Sequence, residues 1–467
     1  MPPEPDPGVR MPIVVIGGGI SGLACAWRLE RLGMPVLLLE QEERAGGVIR
    51  SVRREDVLFE AGPQSFLLTP ELAELLRESG LDDDLLRADP RAPRYVLVGG
   101  RLRRVPLGPA IFFSSLLSWS TKRRLLSEPF GRSTPPAEDE SIAAFVRRKF
   151  GAELLDRLVA PMVAGIYAGD AERLSLRGAF PSLHDWETRF GSVVRGAMKS
   201  RPAGDAPRGG LATLREGNES LVARLAERLG DRVSRRARAI SLRRAVVGSG
   251  ERPEVKTGAR FEIECDIAGR RETITAAAVV VATPARAAAA LLAPVVPAAA
   301  DLARIEYAPV SVVAGSYALE HVPRPLEGFG FLVPRAERLR VLGTVWNSSL
   351  FAGRVPEGQT LLTSFAGGMT DPSASALPDE ALYLTVESEL RRVLGLLYAP
   401  RVRFAQRWAQ AIPQYGMGHA ELLRRVRAAL DATPGLFLAG NYLEGPAIGA
   451  CVSVSNRVAE RASASRS

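Results

Sequence analysis

Gly17-x-Gly19-x-x-Gly22 followed by Glu40 is the spacing in this chain that can do chemistry. Gly17 permits a tight turn, and Gly19 lets backbone N–H groups approach a pyrophosphate with no Cβ in the way. Gly22 lets a helix pack close to a strand. Gly18, Ile20 and Ser21 lie in the same turn, where the start of a helix offers free N–H donors and partial positive charge to phosphate oxygens. Glu40 stands roughly 20 residues beyond the glycines, where an acid binds a ribose hydroxyl and disfavours a 2′-phosphate. Gln41 follows it. The predicted ligand is an adenine dinucleotide.

Such a turn needs a scaffold, and the flanking sequence supplies one. Ile13 to Ile16 is a buried-strand pattern, a helix-patterned segment follows the glycines, and a second apolar strand ends on Glu40. That order of strand, turn, helix, strand and acid separates a dinucleotide unit from chance glycines. The predicted fold class is α/β with α+β insertions, built on a discontinuous Rossmann-like domain. Its further pieces are a start near Gly209-Gly210-Leu211, a helix over Leu221 to Gly230, a short strand-like segment ending near Ala239-Ile240, and a buried strand, Ala278 to Pro284, stopped by Thr-Pro. The last piece is an apolar strand from Pro434 to Gly440-Asn441, then Gly445-Pro446-Ala447-Ile448-Gly449 and a helix from Cys451 to Ala462.

The 467 residues suggest roughly three domain-sized units. A hydrophobic fraction of 46% and a charged fraction of 24% suit an ordinary globular protein. The net charge of +9 comes from Arg scattered along the chain; the four lysines are Lys122, Lys149, Lys199 and Lys256. No basic block alternates with aromatics, so nucleic acid is not an expected partner. Cys25, Cys265 and Cys451 have no metal-ligand spacing and fit a reducing compartment. His184, His321 and His419 are equally scattered, which favours structural roles. Residues 1–10 read as a mobile tail, and no apolar run reaches the roughly 18 residues of a spanning helix.

Two insertions interrupt the cofactor domain. The first, 99–206, has helical patterning and holds Leu107, Ile111, Phe112, Phe113, Leu116, Leu117 and Trp119 just before Lys122, Arg123 and Arg124. Apolar area beside cations suits a monotopic membrane anchor; a buried helix pair fits the same pattern. The second, about 285–403, carries strand patterns expected to form a largely antiparallel sheet over the cofactor. The expected units are therefore 1–66, 207–284 and 404–467 for the cofactor, 67–98 and 285–403 for the substrate, and 99–206 for the helical part.

Arg44-Ala45-Gly46-Gly47 resembles the extended fingerprint of FAD-containing oxidases related to amine oxidases and phytoene desaturases. In that family the loop, continued by Val48, extends the pyrophosphate site, and the turn Gly62-Pro63-Gln64-Ser65 passes under the flavin. Gly165-Ile166-Tyr167-Ala168-Gly169-Asp170, Arg94-Tyr95-Val96-Leu97, Gly328-Phe329-Gly330-Phe331-Leu332 and Ile412-Pro413-Gln414-Tyr415 with Gly418-His419 narrow it further. These resemble the oxygen-dependent protoporphyrinogen oxidases of haem biosynthesis, in order from Ile13 to about Arg461.

The resemblance implies non-covalent FAD, a mixed-sheet substrate domain and a helical membrane-binding domain. It implies removal of hydrogen from protoporphyrinogen IX in successive two-electron steps, with molecular oxygen reoxidising the flavin to give hydrogen peroxide. Arg94 matches the family's propionate-binding arginine, and Phe329, Gly330 and Leu332 its slot-lining segment. Cofactor contacts are implied for Ala239, for Trp408 as the aromatic over the flavin, for Gly440-Asn441, and for Pro446, Ala447 and Ile448 at the pyrimidine edge. The family usually has Asp where Asn441 stands. No general base is readable. The resemblance also implies a cytoplasmic protein at the inner face of the cell membrane, and raises contact with ferrochelatase and a homodimer. Coproporphyrinogen III oxidation, an amine oxidase or carotenoid desaturase activity, and a non-catalytic flavoprotein partner of haem-pathway proteins stay open as alternatives.

Overall fold

The computed structural model describes residues 11–106, 108–200, 210–245 and 260–465. The tail reading for 1–10, the anchor residue Leu107, the start at Gly209 and Lys256 lie outside them.

A five-stranded parallel sheet runs in the order Val233–Ser234, Val36–Leu39, Ile13–Ile16, Ala278–Val281, Leu436–Leu438. Every residue of Ile13–Ile16 and Ala278–Val281 is buried, so both are continuous apolar runs without alternation. The strands come from far-apart stretches of chain, as a discontinuous domain requires. Helices Ile20–Arg31 and Ile448–Ala464 pack together, and Ser455 Oγ donates to the Ser21 carbonyl at 2.8 Å.

The expected strand ending near Ala239-Ile240 is two elements in the structure. Val233–Ser234 joins the parallel sheet, while Ala237–Arg244 opens a three-stranded antiparallel sheet with Phe261–Ile267 and Arg270–Ala276. Ala239 pairs with Cys265 and Ser241 with Glu264, so Ile240 is the extra residue of a bulge, inside the strand and not at its end.

The third unit is a seven-stranded sheet in the order Val402–Pro413, Tyr307–Ala318, Gln359–Gly367, Val341–Trp346, Gly330–Leu332, Arg94–Val98, Arg101–Arg104. All its pairings are antiparallel except that of Gly330–Leu332 with Arg94–Val98. Helix Asp379–Leu394 covers one face with Leu382, Val386 and Leu390. The expected boundaries cut across this sheet: 99 falls in the turn of a hairpin, and 404 falls inside Val402–Pro413. Helix Ala285–Leu292, assigned to the substrate side, buries Ala285, Ala288, Ala289, Leu291 and Leu292 in the core of the parallel-sheet unit.

Helices Trp119–Ser127, Ile142–Lys149, Ala160–Tyr167, Pro181–Phe190 and Val193–Lys199 form the helical insertion. Ser141 and Ser192 cap two of them, accepting from Ala144 N and Arg195 N at 3.1 Å. Beneath them Glu187, fully buried, meets Arg148 at 2.8 Å and Lys149 at 3.2 Å, and Lys149 also meets Glu128 at 3.0 Å. Leu116 and Leu117 are buried, but Phe113, Trp119 and Phe130 are 92%, 65% and 86% exposed. Among the described residues no helix is long and apolar enough to cross a membrane.

Candidate active site

The glycine turn is held from three sides. Gly17 has φ +107°, and its N–H donates to the Leu39 carbonyl at 2.8 Å. Glu40, nearly buried, accepts from Gly18 N at 2.7 Å and from Glu42 N at 2.8 Å. Gly46 N donates to the Gly18 carbonyl at 2.7 Å, which folds the second glycine pair onto the first. A Cβ on Gly22 would lie 1.8 Å from the Gly17 carbonyl oxygen, so only glycine fits. A Cβ on Gly19 would meet nothing within 4 Å, and one on Gly47 would meet only the Gly19 Cα at 3.5 Å. The turn thus borders open space between two glycines, the cradle a pyrophosphate requires.

Arg44 spends its donors inside the loop, reaching the carbonyls of Ala45, Gly47 and Ile49 and the Glu219 carboxylate at 2.5–3.2 Å. Its visible work is to hold the loop's shape. Gln41 is exposed and donates to Glu42 at 3.2 Å, and Val48 is half-exposed. Ala239 packs against the parallel-sheet core two residues past Ala237, whose N–H donates to the Glu40 carbonyl at 2.8 Å.

The next segment is fixed as tightly. A Cβ on Gly62 would lie 2.0 Å from the Val48 carbonyl oxygen, so the two backbones touch. Pro63 offers its carbonyl to Asn218 at 2.8 Å, and Ser65 is half-buried beside it. Buried Gln64 donates to the carbonyls of Glu60 and Gly62 and accepts from Asn347 at 2.8 Å. Trp408 Nε1 donates to the Ala61 carbonyl at 2.7 Å, which sets its ring beside this turn. Beneath lies a pair that sequence reading missed: Glu60 and Arg354, 3% and 2% exposed, 3.6 Å apart. Burial holds the Glu60 carboxyl up at about 7, against the opposing pull of Arg354. Arg354 also donates to Thr213 Oγ1 at 2.5 Å, tying the seven-stranded sheet's connections to the cofactor side.

The C-terminal segment closes the same region. Gly440 precedes half-buried Asn441, whose carbonyl accepts from Tyr415 Oη at 2.5 Å. Pro446 and Ala447 lead into Ile448, with Ala447 at the N-cap of a 17-residue helix. A Cβ on Gly449 would press on the Thr69 side chain at 2.6 Å, so this helix end sits against the chain just past the Gly62-Pro63 turn. His419 joins the Tyr442 carbonyl at 2.9 Å, and burial lowers its pKa to about 4. Cys451 is buried, and burial pushes its thiol up to about 11.

The two specific motifs meet. Gln414 Nε2 donates to the Tyr167 carbonyl at 2.8 Å, Tyr167 and Tyr415 rings stand 5.6 Å apart edge to face, and Tyr415 packs on His419 at 4.5 Å. Across from them Gly330 pairs with Arg94 and Leu332 with Val96. The Arg94 guanidinium lies over the Phe329 ring at 5.7 Å, and Phe329 N donates to the Pro93 carbonyl at 2.7 Å. Gly330 has φ +127°, and a Cβ there would lie 2.0 Å from the Thr344 carbonyl oxygen. Leu332 reaches to 2.8 Å from where a Gly165 Cβ would be, so the sheet and the helical insertion face each other here. Among the described residues there is no cluster able to hold a metal ion.

A dinucleotide cradle joined to an antiparallel sheet and a helical insertion defines a class of flavin-dependent oxidoreductases. Residues 20–462 match the flavin containing amine oxidoreductases, and the chain belongs to that family and uses FAD. It is 34% identical to protoporphyrinogen oxidase 1, chloroplastic, of Spinacia oleracea, over 94% of this chain and 82% of that one. It is 30% identical to coproporphyrinogen III oxidase of Bacillus subtilis (strain 168), over 94% and 95%. A crystal structure from Exiguobacterium sp. 255-15, described as a candidate protoporphyrinogen oxidase, superposes with a TM-score of 0.79 at 25% identity, covering 98% and 99%.

Proposed function

We propose that this protein oxidises a porphyrinogen to the porphyrin, with protoporphyrinogen IX as the leading substrate and molecular oxygen as the acceptor. The observation that carries this reading is the apolar wall of Phe329, Gly330 and Leu332 with Arg94 at its end, facing Gly165. A flat hydrophobic disc bearing propionates needs such a wall and a guanidinium that can grip a carboxylate in two places.

Bound FAD supplies the hydride acceptor and the route of electrons to oxygen. In this reading Gly17 to Gly22, Gly46 and Gly47 hold the pyrophosphate, Glu40 the ribose, and Gly62 to Ser65, Trp408 and Gly440 to Ile448 surround the ring system. Arg94 binds a propionate, and Leu332 and Phe329 keep water from the reacting face. Phe113, Trp119 and Phe130, exposed beside Lys122, Arg123 and Arg124, suit a monotopic contact with the inner face of the cell membrane.

The likeness to a coproporphyrinogen III oxidase supports a second reading, with propionates where protoporphyrinogen has vinyls. FAD-loaded protein assayed under air with each porphyrinogen, by porphyrin fluorescence and peroxide release, tests both. Faster porphyrin formation from protoporphyrinogen IX is the expected result. Preference for coproporphyrinogen III installs the second reading, and no porphyrin from either ends both.

A further inference from the structure

The porphyrinogen reading gives the substrate two propionates on neighbouring pyrrole rings, and Arg94 can serve one of them. We propose that Arg103 is the second propionate-binding residue, set beside Arg94 by the register of one β-hairpin. This rests on the function proposed above.

The hairpin pairs Tyr95 with Arg104, Val96 with Arg103, Leu97 with Leu102 and Val98 with Arg101, and Val105 N donates to the Arg94 carbonyl at 2.7 Å. Side chains alternate across a strand, and directly opposed residues share a face. Tyr95, Leu97 and Leu102 turn to the face covered by Trp346 and Val386, and Arg104 goes with them. Arg94, Val96 and Val98 take the other face with Arg103 and Arg101, and of these two arginines Arg103 is the nearer to Arg94. That face also carries Gly330 and Leu332, which pair with Arg94 and Val96, and Leu332 reaches the helical insertion at Gly165. Arg103 therefore stands on the slot side of the sheet, one diagonal step from Arg94, a separation of about 7–8 Å between backbones. Two long guanidinium groups at that spacing can each take one of two adjacent carboxylates.

The electrostatics favour a ligand. Arg94 and Arg103 are both exposed, and among the described residues neither has a carboxylate partner or a side-chain hydrogen bond. Arg335 is engaged with Asp170 at 3.5 Å and Arg340 with Asp371 at 2.8 Å, whereas Arg101 and Arg104, exposed on the same strand as Arg103, have no carboxylate partner among the described residues either. The hairpin tip is pinned, because Glu337 accepts from Gly99 N at 2.6 Å and Gly100 N at 3.0 Å. Two like charges held side by side repel, and a pair of carboxylates relieves that repulsion. The competing explanation is that charges on an edge strand merely prevent edge-to-edge pairing. Arg104, on the same edge strand but the opposite face, would serve that purpose equally and is the control.

The test uses full-length, FAD-loaded Arg103→Gln and Arg104→Gln with protoporphyrinogen IX and with its dimethyl ester, whose carboxylates are masked. Arg103→Gln should raise KM for the diacid roughly tenfold with kcat little changed, the scale of one charge-assisted hydrogen bond. It should leave KM for the ester unaltered, and Arg104→Gln should match the wild type on both. Arg103→Ala repeats the measurement if the glutamine variant fails to retain its flavin. A wild-type KM on the diacid, or an equal rise on both substrates, overturns the proposal while leaving the porphyrinogen reading standing. A wild type that oxidises no porphyrinogen removes both.

Discussion

At Gly19 a Cβ would meet no neighbour within 4 Å, whereas at Gly22 it would land 1.8 Å from a carbonyl oxygen. The two substitutions therefore fail differently. Gly19→Val fills the phosphate cradle without crowding the protein, so the variant should fold yet elute colourless, read as absorbance near the flavin bands beside an unchanged unfolding midpoint. A yellow, fully loaded Gly19→Val protein contradicts the cradle. Gly22→Val instead drives helix and strand apart and should give little soluble protein. Arg94→Ala should raise KM for a porphyrinogen by roughly tenfold or more with flavin retained, because a charge-assisted pair is lost from an apolar wall. An unaltered KM would remove Arg94 from carboxylate binding.

Among elements, the helical insertion carries two separable features. Its exposed Phe113, Trp119 and Phe130 should partition the protein onto vesicles containing anionic lipid, and replacing all three with Ser should return it to the supernatant with turnover in detergent intact. A wild type that never sediments with vesicles refutes the contact. Its interior is held by charge. Burial opposes ionisation of Glu187, but Arg148, Ser133 and Lys149 outweigh it and bring the carboxyl down to about 2 from an ordinary 4.5. A depressed native pKa stabilises above the unfolded value, so this contribution is complete above about pH 4.5 and disappears as pH falls toward 2. The protection of amides in helix Pro181–Phe190, taken relative to their intrinsic exchange rates, should fall over that window in the wild type, and this loss should vanish in Glu187→Gln.

Across the whole molecule, Glu60 and Arg354 couple the cofactor side to the seven-stranded sheet. Arg354→Ala removes the charge that opposes burial at Glu60, so that carboxyl should take up a proton, and it leaves Thr213 and the Leu214 carbonyl without their donor, which should cost about 1–3 kcal/mol in denaturant unfolding. The double variant Glu60→Gln/Arg354→Met should recover little of that loss; a large recovery would mean that the pair's charges matter more than its hydrogen bonds. Burial lifts Glu60 to about 7 from 4.5, so its contribution to stability is present below about 4.5 and is lost as pH rises to 7. Glu60→Gln should flatten that slope.

Sequence alone was enough for whatever depends on local spacing. Gly17 to Gly22 with Glu40 identified the dinucleotide unit, and the buried runs Ile13–Ile16 and Ala278–Val281 identified its central strands, because doubly covered strands read as unbroken apolar stretches. Pairing over long distances was decided only by the tertiary structure. Ile240 became a bulge, and the hairpin Arg94–Val98 with Arg101–Arg104 joined a sheet whose remaining strands begin at Tyr307 or beyond, because register depends on which partner strand is available. The Glu60–Arg354 pair and the contact of Tyr415 with Asn441 were equally invisible, since a buried charge or phenol looks like a surface one until folding removes its water. Local chemistry was written in order along the chain. Which of the hairpin's arginines share a face of the sheet was settled by how the strands alternate.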